Sequence, residues 1–212
     1  MRVIGVTGGV GAGKSMVLAI LKNEYGARLL SADEIGRELM EPGAACFCPV
    51  VKAFGEDVVG ADGRLDRGKL AGTVFEDAKA LECLNGIIHP AVRQEIEERL
   101  GRWKYEESRE GDAQACLAVI ESAILLEAGY EEICEEIWYV YASEETRMRR
   151  LEESRGYTRE RCLRVMEHQM GEEEFRERAS VTIRNDGDIE GMREQIRELL
   201  KARKCKYKSG KG

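Results

Sequence analysis

Residues 8–15 read GGVGAGKS and directly follow RVIGVT. The pattern is G-x-x-x-x-G-K-[ST], and the chemistry it serves is phosphate binding. Glycines adopt backbone conformations that let successive N–H groups curl around phosphate oxygens. A helix opening at the end of such a loop adds its positive N-terminal end. Lys14 is placed to reach the β- and γ-phosphates of a nucleotide, and the Ser15 hydroxyl to take a Mg²⁺ position. Gly9, Val10, Gly11, Ala12, Gly13, Lys14, Ser15 and Met16 are therefore the candidate nucleotide-binding residues. From typical residue frequencies, a chance match in a chain of this length is on the order of one per cent.

The flanks agree with that reading. Arg2–Thr7 is a short β-branched run, which predicts a buried strand. Lys14–Glu24 carries Val17, Ile20 and Leu21 at helical spacing, so a helix should open at the glycine loop. The alternative is a glycine-rich turn that binds nothing. No NKxD guanine reader occurs, and DEIG at 33–36 comes too soon after the loop to be the second switch of a GTPase. A small kinase fits better: it needs an acceptor-binding region and an arginine-rich lid to neutralise the moving phosphoryl.

The rest of the chain offers both. Arg28–Leu30, running toward Ser31, is a second short strand, and Asp33 stands where a helix N-cap belongs. From about 34 to 112, helical patterns succeed one another at 45–54, 66–84 and 89–109, broken by GEDVVGADGRL and by HP. Apolar runs return at Cys116–Ile120, Ile137–Tyr141 and Val181–Ile183. Between the last two, Glu144–Arg178 is helical and dense in arginine, and a final helix covers about 188–203. Five short apolar strands with helical crossovers predict an α/β fold with a parallel sheet.

Asp33, at the end of the second strand, lies where open α/β sheets place their ligand crevice. It would either accept the proton of an acceptor hydroxyl or cap the next helix. Arg37, four residues on, shares its face and would either bind acceptor phosphate or pair with the acid. Glu121 ends an apolar strand as a Walker-B carboxylate does, or is simply a polar strand end.

Bulk properties narrow the partners. The chain has 212 residues, 43 % hydrophobic and 34 % charged, with net charge −7. Nothing in that balance calls for nucleic acid or an anionic membrane. The basic run KARKCKYKSGKG at the C-terminus reads as a solvated tail. Seven cysteines at scattered spacings, with no CxxC, read as reduced thiols of a cytoplasmic protein. No run reaches the roughly 20 apolar residues of a membrane span.

Taken together, several stretches resemble the dephospho-coenzyme A kinase family. They are GVTGGVGAGKS (5–15), SADEIGREL (31–39), FGEDVVGADGRLDRGKLAGTVF (54–75), LNGIIHPAV (84–92), LLEAGY (125–130), RLEESRGYTRE (150–160), Gln169 and IRNDG (183–187). The resemblance implies a P-loop kinase that phosphorylates the ribose 3′-hydroxyl of dephospho-CoA with ATP and Mg²⁺, acting as a monomer or weak homo-oligomer. It implies a nucleotide core (1–33, 113–143, 179–212), a helical acceptor domain (34–112) and a lid (144–178). Lys14, Asp33 and Arg150 would be catalytic, with Asp33 as the base. Arg37, His89 and Pro90 fall in the acceptor region, Arg150 and Arg155 match lid arginines, and Asn185 lies in the loop expected near adenine. Two departures occur: Met16 stands where the family has Thr, and Glu121 with Ala123-Ile124-Leu125 replaces an Asp and a Pro-Leu-Leu turn. His89, preceding Pro90, should be extended or at a helix start. It is either a ligand contact or a local hydrogen-bonder. His168 is expected at the surface. Trp103 fits helix packing, and Trp138 fits a buried strand. Without the family motifs, a nucleoside or nucleotide kinase, or a non-catalytic ATP-binding switch, would fit as well.

Overall fold

The computed structural model describes residues 1–110, 116–167 and 169–209, with side chains as far as 202 save Glu76 and Glu110; His168 and most of the basic C-terminal run lie outside the described side chains. The chain divides into two compact units, Met1–Leu29 with Ala115–Gly212, and Leu30–Gln114.

Five strands form one sheet in the order β2-β3-β1-β4-β5. They are β1 (Arg2–Thr7), β2 (Arg28–Ser31), β3 (Leu117–Glu121), β4 (Glu136–Tyr141) and β5 (Val181–Arg184). β1 pairs in parallel with β3 (Val6 opposite Glu121) and with β4 (Thr7 opposite Tyr139), and β4 pairs in parallel with β5 (Tyr141 opposite Arg184). Continuous apolar runs suit strands covered on both faces. Val3, Ile4 and Val6 of β1, and Ala118, Val119 and Ile120 of β3, are all buried. Parallel pairing brings Thr7, Glu121, Tyr141 and Arg184 to one edge of the sheet, so the loops that follow them emerge together.

In the first unit, α1 (Lys14–Tyr25) and α9 (Ile189–Ser209) supply Val17, Ile20, Leu21, Met192 and Ile196 to a core shared with Ile4, Val6, Trp138, Val140 and Ile183. Trp138 is fully buried, and its indole N–H donates to Glu136 Oε2 at 3.1 Å. The arginine-rich segment forms α6 (Glu144–Arg155), α7 (Arg159–Glu167) and α8 (Glu172–Arg178). Met148, Leu151 and Cys162 make a small core between α6 and α7, and Val10 packs against it. α8 is fastened to β4 by Phe175 stacked on Tyr139, ring centroids 4.7 Å apart, and by Arg176 over the Tyr141 ring.

The second unit holds α2 (Ala32–Leu39), α3 (Phe47–Phe54), α4 (Arg67–Glu76) and α5 (Ala78–Glu110). Val50, Val58, Leu65, Leu70 and Leu84 are its core. Two expectations fail here. The helix break falls at Asp77, whose Oδ1 accepts from Lys79 N at 2.8 Å, and α5 runs without interruption through His89 and Pro90. A proline inside a helix costs about 3 kcal/mol. Leu84, Val92, Ile96 and Leu100 lie buried on both sides of it, each stabilising by roughly 1.5–3 kcal/mol. That stripe outweighs the proline, and at Gly86, four residues before it, a Cβ would meet no neighbouring element within 4 Å. The second failure is at α2. Ser31, not Asp33, is its N-cap, and the Ser31 hydroxyl accepts from Glu34 N at 3.4 Å. S-x-x-E at 31–34 is the sequence signature of such a cap.

Candidate active site

The phosphate loop joins β1 to α1. Its last glycine, Gly13, is the α1 N-cap at φ 89°, in the left-handed region. A Cβ there would lie 2.1 Å from Asn185 Nδ2. Gly13→Ala is expected to combine a backbone strain of about 1–2 kcal/mol with loss of the Asn185 contact. The melting temperature should fall by about 2–8 °C, with weakened ATP binding in calorimetry.

The carbonyl side of the loop is held from behind. Arg147 Nε donates to Val10 O at 2.9 Å. Arg150 Nη1 reaches Gly11 O at 3.5 Å and Ala12 O at 3.4 Å. Asn185 Nδ2 donates to Ala12 O at 2.7 Å, while Arg150 Nη2 donates to Asn185 O at 2.9 Å. In a trans peptide the C=O and the next N–H point in opposite directions. Fixing the Val10 and Ala12 carbonyls outward therefore turns the Gly11 and Gly13 amides to the concave side. The N-terminal end of α1, which opens at Gly13, adds its positive dipole to that face. The result is an anion cradle built of backbone and helix dipole.

Lys14 Nζ donates to Gly8 O at 2.8 Å, closing the ammonium over the loop. Ser15 and Met16 are exposed on the first turn of α1. Glu121, the last residue of β3, is half-buried on the strand next to β1. Among the described residues no group of three His, Cys, Asp or Glu stands ready as a metal cage. The hydroxyl and carboxylate donors of Ser15 and Glu121 fit Mg²⁺ that shares its coordination with nucleotide phosphates and water.

The bracketing residues include Arg150 and Asn185 of the expected set and add Arg147. Asn185, expected near adenine, is 2 % exposed and braces the loop. Arg155 is exposed at the end of α6, 5.9 Å above the Tyr157 ring, and does not reach the loop. Gln169 belongs to the family-matching stretches, whereas nothing in the sequence distinguishes Arg147. Arg147 lies one helical turn before Arg150 and so shares its face, but nine arginines in this segment hid which two point inward. Burial presses the Arg147 guanidinium below its ordinary pKa, against the opposing pull of Tyr139, Glu144, Glu172 and Tyr141. Asp186 accepts from Ser143 N at 2.8 Å and so ties the start of α6 to the β5–α9 loop. Burial raises the pKa of its carboxyl, but hydrogen bonds from Ser143 and Thr146 outweigh that and hold it below the usual range.

In the second unit, Asp33 and Arg37 sit one turn apart on the exposed face of α2, and no ion pair joins them. The opposite face, Ala32, Ile35 and Gly36, is buried. Ile88 and Val92 of α5 pack 3.5 and 3.6 Å from where a Gly36 Cβ would stand. His89 follows Ile88, half-buried, and its burial lowers the imidazole pKa and favours the neutral form.

A model of the dephospho-CoA kinase family matches residues 2–191. Dephospho-CoA kinase of Carboxydothermus hydrogenoformans is 37 % identical over 206 residues, covering 97 % of this chain and 96 % of the relative. A crystal structure of a Thermus thermophilus protein superposes with TM-score 0.78 at 34 % identity, covering 95 % of this chain and 97 % of the other. The Campylobacter jejuni dephospho-CoA kinase, at 21 % identity and TM-score 0.68, covers 96 % of this chain and all of its own and shares the fold. The phosphate loop, the parallel sheet and a match spanning nearly the whole length converge: the chain belongs to the dephospho-CoA kinase family.

Proposed function

We propose that this chain transfers the γ-phosphoryl group of ATP to the ribose 3′-hydroxyl of dephospho-CoA, giving CoA and ADP. The observation that carries the reading is a complete phosphate loop, braced on its carbonyl side, in a chain that the family model matches from 2 to 191. In such a transfer the protein forms no bond to the phosphoryl, and its work is positioning and charge stabilisation. The amides of Gly11, Gly13, Lys14 and Ser15 bind phosphate oxygens. Lys14 exchanges Gly8 O for the β- and γ-phosphates. Ser15 and Glu121 would hold Mg²⁺, which would neutralise phosphate charge when bound. Arg150 and Arg147 keep positive charge at the loop. Asp33, unpaired on the exposed face of α2, accepts the proton of the 3′-hydroxyl, and Arg37 and neutral His89 contact the acceptor.

On this reading 34–112 is the acceptor domain, 144–178 the lid, and the remainder the nucleotide core. The free thiols of Cys46, Cys48, Cys83, Cys116, Cys134 and Cys162 suit the reducing cytoplasm. Product analysis tests the proposal. After incubation with Mg·ATP and dephospho-CoA, mass spectrometry should show one added phosphate, removable by a 3′-nucleotidase. A product lacking 3′-phosphate, or none, contradicts it.

A further inference from the structure

Gln169, in the link between α7 and α8, makes two contacts with one oxygen. Its Oε1 accepts from Val10 N at 2.9 Å and from Arg147 Nη2 at 3.0 Å. Arg147 Nε in turn donates to Val10 O at 2.9 Å. The three residues close a ring in which both backbone groups of Val10 are taken. Val10 also buries its side chain against the α6–α7 core. Gly9 makes room for the ring, because a Cβ there would come within 2.4 Å of Arg147 Nη2. Two donors converge on one atom, so the side chain at 169 must present an acceptor; a leucine would leave a loop N–H and a half-buried guanidinium without it.

We infer that Gln169 is a positioning residue for the nucleotide: by holding Val10 and Arg147 together, it sets the phosphate loop and locks it to the arginine-rich helices. The effect runs through Val10, whose carbonyl must point outward for the Gly11 amide to face phosphate. This rests on the ATP-dependent reading above, and the test separates the two.

The measurement is calorimetric Mg·ATP binding to wild type, Gln169→Leu and Gln169→Glu, alongside KM for ATP and for dephospho-CoA. Loss of a hydrogen bond to a charged partner, with a stranded amide, predicts ATP binding weaker by about 10- to 100-fold in Gln169→Leu. KM for dephospho-CoA should stay within about twofold, since the ring touches the loop alone. Gln169→Glu keeps the acceptor and should recover most of the lost affinity. Unchanged ATP affinity in Gln169→Leu, or equal losses in both variants, would overturn the inference. Wild type that binds ATP yet leaves dephospho-CoA untouched would overturn the acceptor assignment and not this one, because calorimetry reads the loop by itself.

Discussion

Lys14→Ala should fold and lose phosphoryl transfer. The side chain gives the loop a charge-assisted bond, to Gly8 O at 2.8 Å. Its head is only half-buried, so the loss to stability should be about 1 kcal/mol, a melting shift of about 2–4 °C for a chain of this size. The loss to catalysis is of another order. Lys14 is the one full positive charge carried by the loop itself, and removing a charge-stabilising donor from a transferring phosphoryl lowers kcat by about 10²–10³-fold. ATP affinity should fall too, because the ammonium also meets the ground-state phosphates. Circular dichroism and a melting curve establish the fold, and steady-state kinetics the loss. A folded Lys14→Ala protein with turnover within threefold of wild type would remove the loop from the chemistry.

Asp33→Asn should separate catalysis from binding. Asp33 is exposed in the first turn of α2, where a carboxylate gains about 0.3–1 kcal/mol from the helix dipole. Ser31 already caps the helix, so the substitution removes little structure. A general base at Asp33 would contribute about 10²–10⁴-fold to kcat, and asparagine retains its shape but takes up no proton. The expected pattern is a large fall in kcat with ATP affinity unchanged. Near-normal kcat would leave Asp33 as a residue of the helix start alone.

Much of this was legible in the residues because it is local. The glycine loop announces itself by spacing, and the strands by unbroken apolar runs such as Leu117–Ile120. What stayed hidden depends on tertiary contacts. Pro90 reads as a break until the buried stripe Leu84, Val92, Ile96 and Leu100 is seen to continue past it. The family resemblance puts Asn185 in the loop near adenine, and the parallel sheet brings the end of β5 beside the loop after β1. There its amide reaches Ala12 O. Arg147 is one arginine among nine in its segment, and only the packing of α6 on the loop distinguishes it from Arg155. Ser31 is the exception, since S-x-x-E at 31–34 is a local cap signal, with Asp33 a second cap-type residue beside it.

The central claim is the identity of the acceptor, and ADP release tests it most directly. Purified protein with Mg·ATP would be offered dephospho-CoA, AMP, CMP, UMP, GMP, uridine, or no acceptor. Turnover with dephospho-CoA alone, one ADP for each CoA formed, is the predicted result. Turnover with a nucleotide or nucleoside instead, or ATP binding with no transfer to any of them, would contradict it.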